Sequence, residues 1–282
     1  MNLSVALRLG RVSNLPTVTT NVLAAVALAG GHPGRLQLVA ICVAMSLMYV
    51  AGMFLNDAFD RELDARERPE RPIPSGQVQA MTVFNAGIAM LIAGVALTAI
   101  VAVTSGVGYR AGLCALGLAA LILIYDAFHK QNPASPIVMG LCRVGVYAAA
   151  AFAVTPHVDA ALGRGMIALL CFLIGLTYIA RQENLSRVDN LWPLAVMAIP
   201  AWLAFPTSAV AWVSYVTWLA ALSIALTLLA SRKIREAVGL LIAAISLLDA
   251  TLAANAGYPV FAVYAVLAYG LTRWLQRSVP GT

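Results

Sequence analysis

Half of the acidic residues in this chain crowd into one short stretch. It begins Asn56-Asp57-Ala58-Phe59-Asp60-Arg61-Glu62-Leu63-Asp64 and continues through Arg68-Pro69-Glu70-Arg71-Pro72-Ile73-Pro74-Ser75-Gly76. Asp57, Asp60 and Asp64 stand at i, i+3 and i+7. If the preceding helix continues, they line one face, with Asn56 a turn above Asp60. Carboxylates held side by side repel one another unless a cation neutralises them. Hard oxygen ligands with open positions suit Mg²⁺, which completes its shell with water and phosphate oxygens. The competing reading is a solvated charged loop at a membrane surface.

Two more polar clusters interrupt an otherwise apolar chain. In Tyr125-Asp126-Ala127-Phe128-His129-Lys130-Gln131-Asn132, Lys130 can act as a point charge on phosphate or as an anchor at the membrane surface. His129 reads as a surface histidine. The other cluster, Arg181-Gln182-Glu183-Asn184-Leu185-Ser186-Arg187-Val188-Asp189, offers carboxylates, amides and guanidinium groups, with Tyr178 one turn before Gln182. Arg143 lies inside an apolar run, with Tyr147 one turn further on. A buried Arg is expected to line a wet cavity or to be paired, although its stem can also snorkel. Asn14 and Asn21 are seven apart on one face and should turn inward. Asp249 sits deep in another apolar run. A structural pairing with a group such as Asn21 or Arg143 and a role in turnover suit it equally.

The elements that must position these residues are membrane spans. The chain is 61% hydrophobic and 11% charged, with mean hydropathy +0.86. Soluble domains carry about 25% charged residues. Ten apolar runs qualify, at about 15–31, 36–56, 80–104, 109–127, 136–154, 163–181, 190–206, 209–230, 235–255 and 258–275, most near the ~20 residues that cross a bilayer. The 190–206 run is short and carries three prolines. The first run ends in Ala27-Leu28-Ala29, which resembles a processing site, but Asn14, Thr17, Thr19, Thr20 and Asn21 make it too polar for a signal peptide, so it reads as a retained span.

Charge placement orients the chain. With ten spans, fourteen of the 18 Lys+Arg fall on one side and three on the other, leaving Arg143 inside a span. That places both termini and the three polar clusters in the cytoplasm, in a membrane read as the bacterial inner membrane. No loop is long enough for a separate soluble domain, so residues 1–282 read as one unit. The net charge of +6 resides in short loops and does not indicate nucleic acid. Cys42, Cys114, Cys142 and Cys171 lie in apolar runs without disulfide or metal spacing.

The string Asn56-Asp57-x-x-Asp60-x-x-x-Asp64 followed by Arg71-Pro72-Ile73-Pro74-Ser75-Gly76 resembles the signature of the UbiA superfamily of intramembrane prenyltransferases. Arg11-Val12-Ser13-Asn14-Leu15-Pro16-Thr17, Tyr125 with Lys130, and Gly140-Leu141-Cys142-Arg143 are similar to further parts of that family. The resemblance implies an all-α bundle of nine to ten transmembrane helices around a central cavity, opening sideways to lipid. It implies a Mg²⁺-dependent transfer of a polyprenyl group from a polyprenyl diphosphate to a small-molecule acceptor. In that frame Asp57, Asp60, Asp64, Glu183 and Asp189 hold metal. Asp60, Lys130 and Arg143 carry the chemistry. Asn14, Asn21, Asn56, Arg71, Tyr125, Tyr147, Tyr178 and Asn184 contact substrates, the tyrosines as faces for an allylic cation. The second motif departs from the family: Glu183, Asn184 and Asp189 stand where Asp residues at DxxD-type spacing are usual. A non-catalytic prenyl-lipid binding or transport-linked relative is the alternative. A CDP-alcohol phosphotransferase ranks lower, because Asp57 is followed by Ala58 and not by Gly.

Overall fold

A computed structural model describes residues 1–130, 132–157, 159–181, 192–279 and 281. All regular structure among them is helical. In chain order the helices are α1 (Leu3–Leu9), α2 (Leu15–Leu28), α3 (Arg35–Phe59), α4 (Arg61–Glu67), α5 (Ala80–Thr104), α6 (Arg110–Phe128), α7 (Ser135–Phe152), α8 (Ala160–Arg181), α9 (Trp192–Leu203), α10 (Ala209–Ala230), α11 (Ile234–Asn255) and α12 (Pro259–Leu275). A 3-10 turn, Val12–Asn14, leads into α2. Proline occupies the first turn of α2, α7 and α12, where its missing N–H is harmless.

Among the described residues, seven helices are long and apolar enough to cross a membrane: α3, α5, α6, α7, α8, α10 and α11. The three other expected spans correspond to shorter helices. α2 has 14 residues, α12 has 17, and α9 has 12 with Pro200 inside it. The expected count of nine to ten spans depends on these three.

The centre of the bundle is α11, buried along almost its whole length, and it packs against α2, α8, α10 and α12. A helix that is apolar all round is one enclosed by neighbours. Outer helices instead present Ile92, Ile100, Leu113, Val213 and Leu267 outward, as a lipid-facing surface requires.

The most extensive helix contact is α3 against α5, with Gly87 and Gly94 of α5 lying against α3. A Cβ on Gly94 would collide with the Met48 side chain and lie 3.0 Å from the Ala44 carbonyl oxygen. Met48 also lines the cavity described below. Gly94→Ala is therefore expected to cost about 1–3 kcal/mol, read as a lower thermal midpoint in detergent. An unchanged midpoint would show that α5 can retreat from α3.

The acidic stretch departs from a continuous helix. α3 ends at Phe59, Asp60 forms the junction, and α4 resumes at Arg61. Helical bonds still bridge the junction, from Asp60 N–H to the Asn56 carbonyl (2.9 Å) and from Asp64 N–H to the Asp60 carbonyl (2.9 Å). The next loop is tied back on itself. Ser75 Oγ donates to the Arg71 carbonyl (2.7 Å), Gln77 N–H donates to that of Pro72 (3.0 Å), and Gly76 turns the chain at φ +73. Ile73 packs against the small apolar cluster of Val5, Leu9, Phe54 and Val83. This anchoring fixes where Arg71 starts.

Candidate functional site

Helices α2, α3, α4, α6, α7, α8 and α11 surround a cavity of about 610 Å³, within the usual range for ligand sites. One part of its wall is polar: Arg11, Asn14, Asn56, Asp60, Asp64, Arg68, Arg71, Asp126, His129, Lys130 and Arg181. The other is apolar, with Val18, Met48, Gly52, Leu118, Ile122, Val146, Leu173, Leu176, Ile242 and Ile245.

The carboxylates of the acidic stretch do not converge on a single point. Asp60 turns to the end of α6, where Lys130 Nζ lies 2.8 Å from Oδ1 and His129 Nε2 lies 3.5 Å from Oδ2. Asp64 and Asp57 share Arg71, whose Nη1 lies 2.7 Å from Asp64 Oδ2 and 3.3 Å from Asp57 Oδ1. Arg11 adds a second guanidinium to Asp57 Oδ1 at 3.4 Å. Interleaved cations thus relieve the repulsion that the spacing creates. Burial alone would push the Asp60 carboxyl up, but its bonds to His129 and Lys130 prevail and hold it below the ordinary carboxylate value. Burial would likewise push His129 down, yet the Asp60 bond and charge raise it. Both ring nitrogens of His129 face acceptors, Nδ1 the Tyr125 carbonyl (3.1 Å) and Nε2 the Asp60 carboxylate, an arrangement that favours the imidazolium.

Several of the expected site residues lie off the cavity wall or already have partners. Asp57 was expected to face the metal, but it is absent from the cavity lining, because Arg11 and Arg71 clamp its carboxylate. Asn21 and Tyr147 were expected to touch substrate, yet both are fully buried and sit behind the wall. The buried charge of Asp249 draws their donors. Asn21 Nδ2 donates to Asp249 Oδ2 at 2.8 Å, and the Tyr147 hydroxyl donates to Oδ1 at 2.5 Å. Tyr178 lies outside the cavity lining; its hydroxyl donates to the Pro133 carbonyl at 2.8 Å. Asn14 lines the cavity, but its amide N–H donates to the Gly281 carbonyl at 2.9 Å. Glu183, Asn184 and Asp189 lie outside the described residues.

Other residues join the site unforeseen. His129 is no surface histidine: it stacks on Tyr125 with ring centroids 4.8 Å apart. The i, i+4 spacing of the two rings was the available signal. Asp126 accepts from Asn56 Nδ2 at 3.2 Å, while its other oxygen is buried with no hydrogen-bond partner among the described residues. Tyr49 lines the cavity and lies under the Arg143 guanidinium, 5.2 Å from ring centroid to Cζ. Arg181 reaches the Asn132 carbonyl (3.1 Å) and Ser135 Oγ (3.3 Å).

Among the described residues no three His, Cys, Asp or Glu side chains cluster as a ready-made metal nest. The carboxylates on the cavity wall are Asp60, Asp64, Glu67 and Asp126, with the Asn56 amide between α3 and α6. That set fits a Mg²⁺ ion held by one or two carboxylates, with phosphate and water completing its shell.

The model of the UbiA prenyltransferase family matches residues 17–279. The chain belongs to this family. As a UbiA family protein with seven long apolar helices it is an integral membrane protein. Among curated relatives, a digeranylgeranylglyceryl phosphate synthase of Korarchaeum cryptofilum is 40% identical over 67 residues, 24% of this chain and 23% of the relative. A protoheme IX farnesyltransferase of Prochlorococcus marinus is 32% identical over 159 residues, 55% of this chain and 44% of the relative. The matched stretches thus span less than half the length of either relative. A UbiA homologue structure from Aeropyrum pernix K1 superposes with TM-score 0.65 at 15% identity, covering 89% of this chain and 96% of the other. A homologue from Archaeoglobus fulgidus, bound to GPP and Mg²⁺, superposes with TM-score 0.54 at 14% identity, covering 94% and 99%. These likenesses establish a shared UbiA fold.

Proposed function

We propose that this protein is a Mg²⁺-dependent intramembrane prenyltransferase, the whole chain acting as one unit, that moves a polyprenyl group from a polyprenyl diphosphate to a small acceptor. The observation that supports it best is the single cavity joining a carboxylate and cation cluster to an apolar channel between membrane helices. The Archaeoglobus fulgidus homologue binds GPP with Mg²⁺, which is the ligand chemistry this division of the wall suits. Bound Mg²⁺ would supply positive charge to the diphosphate as the allylic C–O bond breaks.

The chain's own residues do the rest. Asp60 and Asp64, supported by Asn56, hold the metal; Glu183 and Asp189 complete that set. Lys130, His129, Arg71 and Arg181 face the developing charge on the leaving diphosphate. The electron pair of the broken bond departs with that group. Arg143 lies about 12 Å along α7 from Ser135 at its start. It faces an anionic part of the bound substrates beneath the polar rim. The apolar helices take the isoprenoid tail and exclude water from the allylic cation, with Tyr125 and Tyr49 as the nearest aromatic faces. Curated relatives are named for different acceptors, a glyceryl phosphate lipid and protoheme, so the acceptor here is written only as a small molecule. The polar mouth faces the cytoplasm, by the distribution of Lys and Arg, in a bacterial inner membrane.

Purified protein given labelled geranylgeranyl or farnesyl diphosphate, Mg²⁺ and a panel of phenolic, glyceryl lipid and porphyrin acceptors is expected to yield a prenylated product. EDTA should abolish it and added Mg²⁺ restore it. Diphosphate-dependent thermal stabilisation with no product across the panel would instead support a prenyl-lipid binding relative, the reading motivated by the altered second motif.

A further inference from the structure

Behind the cavity wall lies a polar network that substrate contact does not explain. Asp249, in the middle of α11, is fully buried. Three donors from two other helices reach it: Thr20 Oγ1 at 2.5 Å and Asn21 Nδ2 at 2.8 Å on Oδ2, and the Tyr147 hydroxyl at 2.5 Å on Oδ1. With its N–H held by Asp249, the Asn21 amide can present only its oxygen to the other side. That oxygen accepts from Arg143 Nη1 at 2.9 Å. Arg143 lines the cavity, its guanidinium braced over the Tyr49 ring.

We propose that Asp249 is a positioning residue for prenyl transfer: it locks the Asn21 amide, and through that amide it fixes the Arg143 guanidinium toward the anionic group of a bound substrate. The inference rests on the prenyltransferase reading. Three features support it. The Arg143 guanidinium carries only donors and selects the Asn21 oxygen, while Asp249 on the far side takes the amide N–H, so the two charges hold one amide orientation from opposite ends. The carboxylate also balances the guanidinium charge through a single bridging amide, so neither charge is isolated in the bundle. Finally, the chain of contacts ties α11, α2, α7 and α3 at one level, so the guanidinium cannot swing out along the wall. Misplacement of such a group by about 1 Å is enough to lose about a hundredfold in rate. The anion is either the donor diphosphate or an acidic group on the acceptor.

A double-mutant cycle on Asp249→Asn and Arg143→Lys tests this, with kcat/KM for product and Kd for geranylgeranyl thiodiphosphate as a non-reacting donor. Each single variant is expected to lower kcat/KM by at least about tenfold, and the double variant to fall no more than about threefold below the worse single. A raised Kd in both variants identifies the anion as the diphosphate. An unchanged Kd with reduced kcat/KM identifies it as a group on the acceptor. Thr20→Val removes one bond to Asp249 and leaves the Asn21 link; it should lower the thermal midpoint while kcat/KM stays within about threefold. If Asp249→Asn does not fold, Asn21→Ser replaces it in the cycle with the same expectation. Multiplicative effects in the double variant, or a Thr20→Val loss as large as that of Asp249→Asn, would overturn the proposal. If the wild type binds donor but gives no product, the transfer reading fails, and the cycle in Kd alone decides the positioning role: coupled losses sustain it, and no change ends it.

Discussion

Asp60→Asn is expected to lower prenyl transfer by roughly a thousandfold, while the protein still folds. Asp60 is a cavity-facing carboxylate at the junction of α3 and α4, with Lys130 Nζ at 2.8 Å and His129 Nε2 at 3.5 Å. The amide preserves shape and one acceptor oxygen but removes the charge. Two effects then act together. The metal set loses an anionic ligand, and two cations lose the partner that holds them at the diphosphate position. A neutral side chain at the junction of α3 and α4 leaves the helical bonds through residue 60 untouched, so the thermal midpoint should move little. The measurement is product formation at saturating Mg²⁺, with circular dichroism and the midpoint as controls. Turnover within about threefold of wild type would remove Asp60 from the metal set.

The second large effect is expected at Arg71. Its guanidinium is the counter-charge shared by Asp57 and Asp64, and its side chain is 17% exposed. Among the described residues, Arg71→Met leaves Asp64 without an ion-pair partner and leaves Asp57 with Arg11 alone. Breaking a partly buried pair in this way costs about 2 kcal/mol or more. A further consequence distinguishes this from ordinary loss of packing. With the guanidinium gone, a divalent cation becomes the available counter-charge for the acidic stretch. The thermal midpoint of Arg71→Met should therefore rise steeply with Mg²⁺ in the absence of donor, whereas the wild type should respond weakly until a diphosphate is added. Parallel Mg²⁺ responses of the two proteins would mean that the acidic stretch does not hold the ion.

Both expectations concern residues that the sequence singled out, yet their arrangement was only partly legible. The i, i+3, i+7 spacing put Asp57, Asp60 and Asp64 on one face of a continuing helix; the structure pairs Asp57 and Asp64 through Arg71 and turns Asp60 to Lys130. It did not reveal that Asp57 would be clamped away from the cavity, because that depends on Arg11, which lies 46 residues earlier and meets Asp57 only after α1 and α2 are placed. His129 looked like a surface residue because one helix end cannot show what another helix brings beside it. The three shorter helices α2, α9 and α12 matched apolar runs whose hydropathy was clear but whose helical length was not.

The sequence by itself determined the membrane class, the family and the polar residues that had to cluster, since these follow from composition, from local period and from an order of residues along one segment. Only the tertiary structure decided the partners. Asp249 and Asn21 stand 228 residues apart, and Arg143 and Asn21 stand 122 apart. The sequence left open whether Asp249 was structural or functional; packing joins it through the Asn21 amide to Arg143 on the cavity wall. The physical reason is that helical spacing fixes the face on which a side chain lies, whereas its partner is fixed by which helix packs against that face, and at what depth.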